Sequence, residues 1–136
     1  MAKMPPKVME MINASPVLPK VLCTCDAEGN LNAVPKGTLY AMDEETIVFA
    51  DIWGYKTNQN LEVNKKVAVT VFSIQMLPVG YQVKGTFQGF EKEGEIFDIY
   101  AKHVKEQINM EIPSVGVIKV DSVYTHCLPE PGVQLA

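Results

Sequence analysis

Thr46-Ile-Val-Phe-Ala-Asp51, then Ile52-Trp-Gly54, then Tyr55-Lys-Thr-Asn-Gln-Asn-Leu-Glu-Val-Asn-Lys-Lys66, is the stretch whose reading decides the fold. Thr46 to Asp51 puts β-branched and aromatic residues in a row and reads as a strand. Gly54 breaks it, and a helical pattern begins near Lys56 and Thr57. The first turn of that helix holds a lysine and no acid. A cation at a helix N-terminus opposes the macrodipole, at a cost of about 0.3–1 kcal/mol on an exposed surface. An anion seated there reverses the sign. Free backbone N–H groups, the Thr57 hydroxyl and the Lys56 ammonium then converge on it, as helix starts do on phosphate. The plain alternative is that Lys56 extends into water. Lys65 and Lys66 are expected to close the helix at its negative end.

Upstream, Pro5 to Ala14 reads as a short helix with Val8, Met9, Met11 and Ile12 on an apolar side, ended by Ser15-Pro16. Val17 to Cys25 reads as a strand, and Asp26-Ala-Glu-Gly-Asn30 as a hairpin turn. Leu31 to Met42 is the returning strand, interrupted at Pro35. Proline cannot donate to a ladder, so this strand lies at an edge or bulges there. Lys36-Gly-Thr38 follows at once. A broken edge with a glycine lets a flat ligand approach backbone amides; a barrel corner explains the same residues.

Downstream, Val67 to Ile74 is apolar on both faces, so both should be covered; a second subunit is the simplest cover for the outer one. Met76 to Gly80 is an apolar loop. Tyr81 to Phe90 alternates, with Tyr81, Val83 and Phe87 on one side and Gln82, Lys84, Thr86 and Gln88 on the other. Gly94 to Met110 is the clearest helix, with Phe97, Tyr100, Ala101, Val104 and Ile108 on one stripe and His103 on the polar face. Ser114 to Tyr124 is the last strand, followed by a Pro/Gly-containing tail. Six strands joined by hairpins and helical crossovers predict a mainly β fold, a six-stranded antiparallel split β-barrel with flanking helices. Nothing divides the chain, so residues 1–136 read as a single domain.

Composition narrows the function. Hydrophobic residues make up 47% of the chain and charged residues 21%, in the range of a globular protein. The net charge of −4 argues against a nucleic-acid partner. All 12 basic residues are lysine. Bidentate capture of phosphate by arginine is therefore unavailable, and lysine, hydroxyls and backbone amides must hold any phosphate. No apolar run approaches the roughly 20 residues of a membrane span, and no secretory leader is evident, so a cytoplasmic location is expected. Of the three cysteines, Cys23 and Cys25 share a strand face at a spacing poor for a bridge. The His126-Cys127 pair lacks zinc-ligand spacing, and no metal site is expected. Walker, dinucleotide-binding, zinc-protease and nucleophile-elbow motifs are missing, and no catalytic residue can be assigned. A chain without its own acid–base machinery but with a phosphate-type helix start suits borrowed cofactor chemistry.

Thr46–Asp51, Lys56-Thr57, Asn60-Leu61, Val67-Ala-Val-Thr-Val71, Gly80-Tyr-Gln-Val-Lys-Gly85 and Val117–Tyr124, in that order, resemble the FMN-binding split-barrel family related to pyridoxamine 5′-phosphate oxidase, and among it the small flavin-nucleotide-binding members. The resemblance implies a homodimer with FMN at the subunit interface. It implies that Lys56 and Thr57 hold the phosphate, that Pro35, Lys36, Gly37 and Thr38 run along the ring and ribityl chain, and that Ala50 and Asp51 lie by the ribityl and phosphate. Gln82, with Lys84, would face the flavin region, and Trp53 and the Cys127 tail would cover a ring edge. The oxidase itself uses arginines that this chain lacks, so oxidation of pyridoxamine phosphate is not expected. An FMN-dependent redox protein or oxidoreductase with a small-molecule redox partner is the first reading. A non-catalytic flavin or small-ligand-binding protein, and a split-barrel reductase using F420 or haem, are the alternatives.

Overall fold

A computed structural model describes residues 2–14, 19–52, 54–74, 78–126 and 130–136. The expectations for Ser15 to Leu18, Trp53, Met76-Leu77 and Cys127 lie outside the described residues. The order is α1 (Pro6–Asn13), β1 (Lys20–Cys25), β2 (Leu31–Pro35), β3 (Tyr40–Asp43), β4 (Thr46–Ala50), α2 (Tyr55–Val63), β5 (Lys66–Ile74), β6 (Pro78–Glu91), α3 (Glu95–Ile108) and β7 (Val115–Thr125). Among the described residues there are seven strands rather than six, because the segment from Leu31 to Met42 splits. Pro35 ends β2, Lys36 to Leu39 turn, and β3 begins at Tyr40. The architecture is the same split barrel.

One antiparallel sheet holds all seven strands in the order β2-β1-β5-β6-β7-β4-β3. Its two edges, β2 and β3, are neighbours in sequence, joined only by Lys36 to Leu39. In a flat sheet of seven strands the edges would lie about 29 Å apart at the usual strand spacing. The linker spans at most about 18 Å fully extended. The sheet must therefore curl until its edges nearly meet, and Lys36–Leu39 crosses the seam. Pro35, on edge strand β2, removes no donor from an interior ladder.

Buried Lys20 ties the seam from beneath. Its ammonium donates to the Ile12 carbonyl at 2.9 Å and the Leu39 carbonyl at 3.0 Å, while its own carbonyl accepts from Lys36 N–H at 2.9 Å.

Inside the barrel, Leu22, Ile47, Phe49, Val69, Val71, Val83, Ile118 and Val123 pack with Val8 and Ile12 of α1. Each such side chain contributes roughly 1.5–3 kcal/mol on burial. A second cluster lies outside, where Tyr100 and Val104 of α3 cover Val48, Ala50, Val115 and Val117. The strands covered on both faces are thus β4, in which Ile47 to Ala50 are all buried, and the first part of β7, Val115 to Ile118. The outer face of β5 instead carries half-buried Ala68, Thr70 and Phe72. Gly116 is what lets β4 and β7 pair so closely, since a Cβ there would enter the Phe49 ring.

Three local expectations change. Helix α2 ends at Val63, so Lys66 opens β5, while Lys65 reaches back to the Leu61 carbonyl at 2.6 Å. His103 is not simply solvated, because its ring packs 4.3 Å from that of Tyr40. Pro78 to Gly80 belong to β6 rather than to a loop, and the C-terminal tail runs back along β7, with Val123 N–H donating to the Ala136 carbonyl at 3.0 Å. No helix among the described residues is long and apolar enough to cross a membrane.

Candidate functional site

An open cavity of about 540 Å³ lies on the seam, within the usual range for small-molecule sites. Its walls come from β2 (Asn32, Val34, Pro35), the seam turn (Lys36, Gly37, Thr38), the end of β4 with Ile52, the start of α2 (Tyr55, Lys56, Thr57), Ile108 at the end of α3 and Met110 just past it. Seven of the nine cofactor-binding residues named from sequence line it: Pro35, Lys36, Gly37, Thr38, Ala50, Lys56 and Thr57.

The other two do not. Asp51 turns away to build the scaffold. Its carboxylate accepts from Asn58 Nδ2 at 2.7 Å and from Ser114 Oγ at 2.9 Å, and its N–H donates to the Ser114 carbonyl at 3.1 Å. It thereby fixes where α2 starts relative to β7. Gln82 lies in the middle of β6, paired with Thr70 and Tyr124, and with Lys84 it is outside the cavity of its own chain. Period-two alternation told that Gln82 was on the polar side of β6, but could not tell what that side faced.

The start of α2 has the features of an anion site. Gly54 precedes it without a side-chain cap, and no acid occupies the first turn. The first bond onto that turn, Asn58 N–H to the Gly54 carbonyl, is 2.6 Å, which leaves the N–H groups of residues 55 to 57 without helical acceptors. Thr57 is only 3% exposed; its hydroxyl accepts a long bond from Asn32 Nδ2 at 3.5 Å. Lys56 is half exposed, with its ammonium 4.0 Å from the Asp26 carboxylate. That carboxyl is held below the usual range chiefly by the Asn30 backbone N–H and side-chain amide, with Lys56 adding to them. Gly54 must be small here, because a Cβ would strike the Asn58 carboxamide that anchors to Asp51.

The far wall is apolar and pinned from behind. Tyr100, its hydroxyl buried and its pKa pushed up by that burial, donates to the Thr38 carbonyl. Thr38 Oγ1 accepts from Ala50 N–H at 3.2 Å, so the seam turn is stitched to β4. Lys36 is 8% exposed, and burial pushes its pKa down while Asp51 pulls the other way. Gly37 has nothing within 4 Å of where a Cβ would stand, so its backbone is open to approach.

Sequence reasoning missed Asn32, Val34, Ile52, Tyr55, Ile108 and Met110. Tyr55 was one residue from the named pair and 78% exposed, an unusual place for an aromatic ring and a fair signal in retrospect. Ile108 and Met110 arrive from the other end of the chain. Asn109, in the left-handed region at φ 53°, ends α3 and turns Met110 towards the cavity.

These features suit FMN. The helix start, Lys56 and Thr57 provide for a phosphate. The apolar walls provide for a flat ring, and open Gly37 lets it approach the main chain. Neither histidine lines this cavity: His103 packs against Tyr40, and His126 bonds Thr70 Oγ1 at 3.2 Å.

Comparison with known proteins agrees in outline. The family model for pyridoxamine 5′-phosphate oxidase matches residues 4–127. An uncharacterized protein of Methanocaldococcus jannaschii is 31% identical over 107 residues, covering 76% of this chain and 69% of that protein. HupZ of Group A Streptococcus has the same fold, with a TM-score of 0.82 at 22% identity, over 98% of this chain and 99% of that one. An FMN-binding protein from Syntrophomonas wolfei gives 0.81 at 23% identity, over 91% and 86% of the two chains. HutZ, the haem storage protein of Vibrio cholerae, gives 0.60 at 14% identity, over 78% and 84%. The fold is therefore shared by proteins that hold different groups.

Proposed function

Because the chain belongs to the pyridoxamine 5′-phosphate oxidase family, we infer that it binds FMN in the seam cavity and works as a redox protein or oxidoreductase. The observation that carries this reading is the uncapped, acid-free start of α2, with Lys56 and buried Thr57 facing an apolar cavity large enough for a flat ring. FMN supplies hydride or electron transfer when bound. The chain's own part is to seat the phosphate, to hold the ring against Val34, Pro35 and Ile52, and to keep water away from the buried wall.

Pyridoxamine phosphate is a poor substrate for this site. A phosphorylated amine needs a second phosphate cradle beside the first, and the cavity offers two lysines and no arginine. Neither histidine lines the cavity of its own chain, while His126, bonded to Thr70 on the outer face of β5, would face a second copy, so haem stays the alternative that titration decides. We place the protein in the cytoplasm, acting as a homodimer in which the outer face of β5, with Ala68, Thr70 and Phe72, is covered by the second copy. In that arrangement Gln82 and Lys84, on the adjacent outer face of β6, lie near the partner's cavity rather than their own.

The test is the visible spectrum of the purified protein, followed by titration of FMN, riboflavin, F420 and haem into protein stripped of any ligand. FMN at a hundred times its Kd should stabilise the fold by about 2.7 kcal/mol and quench flavin fluorescence. NAD(P)H-dependent bleaching would identify an enzyme rather than a carrier. FMN that leaves both melting temperature and fluorescence unchanged refutes the reading.

A further inference from the structure

Two lysines line the cavity, and the phosphate accounts for one. Lys56 stands at the helix start, half in solvent. Lys36 is buried in the seam turn. A lysine carries three N–H donors. Among the described residues the hydrogen-bond acceptor given to Lys36 is the Ile52 carbonyl, at a long 3.4 Å. Its other neighbour is the face of Phe49, 5.4 Å from Nζ to the ring centroid. The acid whose charge acts on it, Asp51, is already engaged by Asn58 and Ser114. A buried cation so thinly partnered is costly unless something else completes it. A protein lysine that only filled space would be better replaced by a methionine.

On the flavin reading above, the missing partner has a definite chemistry. The pyrimidine edge of the flavin ring presents acceptors, N1 and the C2 carbonyl. When the ring takes up two electrons and one proton at N5, the added negative charge resides on that edge. We propose that the Lys36 ammonium is the counter-charge for the reduced ring, holding that edge and raising the midpoint potential of bound FMN. Lys36 donates no proton in this step; it remains an ammonium before and after, and the electrons come from the external reductant. Phe49 and the Ile52 carbonyl hold the ammonium in place, and Gly116 makes room for Phe49.

The test is reductive titration of the FMN-loaded protein with dithionite against a reference dye, for wild type, Lys36→Met, Lys36→Gln and Lys36→Arg. Lys36→Met should weaken reduced FMN about 100-fold more than oxidised FMN. At about 30 mV per tenfold for a two-electron couple, that lowers the midpoint by about 60 mV. Lys36→Arg should recover most of the shift. Lys36→Gln keeps a donor without the charge and answers the question if the methionine variant does not fold. Riboflavin should show the same shift, since the ring and not the phosphate is involved. Failure of wild type to bind FMN overturns the flavin reading itself. FMN bound with a midpoint unmoved by Lys36→Met and Lys36→Gln overturns only the role of Lys36. Equal losses for oxidised and reduced FMN with riboflavin spared would make Lys36 a phosphate ligand, and would also overturn it.

Discussion

Removing the Lys56 ammonium tests the phosphate assignment most directly, because FMN and riboflavin differ only in that phosphate. The ammonium is half exposed and 4.0 Å from Asp26. Two unit charges at 4 Å attract by about 1 kcal/mol in bulk water and about 4 kcal/mol at an effective dielectric of 20. A half-exposed lysine belongs nearer the lower figure. About 1.5–2 kcal/mol is a reasonable share for Lys56, with the α2 N–H groups and Thr57 supplying the rest. Lys56→Ala should therefore raise the Kd for FMN roughly 10- to 30-fold. It should leave riboflavin within about twofold, at the level of measurement error. Flavin fluorescence quenching measures both. In 1 M salt, where the screening length is about 3 Å, the difference between wild type and Lys56→Ala should shrink. Lys92→Ala, on a different cavity, is the control and should change neither. If Lys56→Ala weakens riboflavin as much as FMN, or Lys92→Ala matches it, the anion site is not at the helix start.

Other perturbations separate fold from site. Gly37→Leu adds a side chain where nothing lies within 4 Å; the melting temperature should hold while FMN affinity drops at least tenfold, and a fall in both would place that backbone in the scaffold. Gly116→Ala drives a methyl into Phe49 and should cost about 1–3 kcal/mol in denaturant unfolding; a neutral result would mean Phe49 can move. Lys20 and Lys36 have pKa values lowered by burial from 10.5. The unfolded chain therefore binds more protons as pH rises through their folded values, and stability should climb in that alkaline window. The climb should end near pH 10, where Tyr100, whose pKa is raised, keeps a proton the unfolded chain loses and reverses the slope. Urea unfolding from pH 8 upwards reads this, and Lys20→Met should flatten the climb. Light scattering should give twice the chain mass, and Phe72→Glu on the outer face of β5 should give the single-chain mass; a monomeric wild type removes that face as a dimer contact.

The sequence was most informative where one physical signal dominated. Alternation grouped Tyr81, Val83 and Phe87 on one side of β6, the side the barrel core buries, and helical periodicity grouped Tyr100 and Val104 on one stripe, which packs on β4 and β7. The lysine at the wrong end of a helix dipole led to the cavity before any geometry was known. What stayed hidden depended on contacts far apart in the chain. The continuous burial of Ile47 to Ala50 comes from α3 lying on the outer side of β4, which no local window contains. The family resemblance put Asp51 by the ribityl and phosphate, yet Asn58 and Ser114 occupy its carboxylate. Pro35 showed an edge without revealing that the opposite edge lay only a turn away. Ile108 and Met110 were unreachable by local pattern, since their place in the cavity follows from where α3 ends and how the chain turns at Asn109.

The seam between β2 and β3 would give a bound cofactor a mechanical role as well as a chemical one. Every other pair of adjacent strands is zipped by its own ladder, whereas here closure rests on a four-residue strap, Lys20 and whatever fills the gap. An occupant touching β2, the strap and β4 together acts as a rivet through the weakest joint of the cylinder.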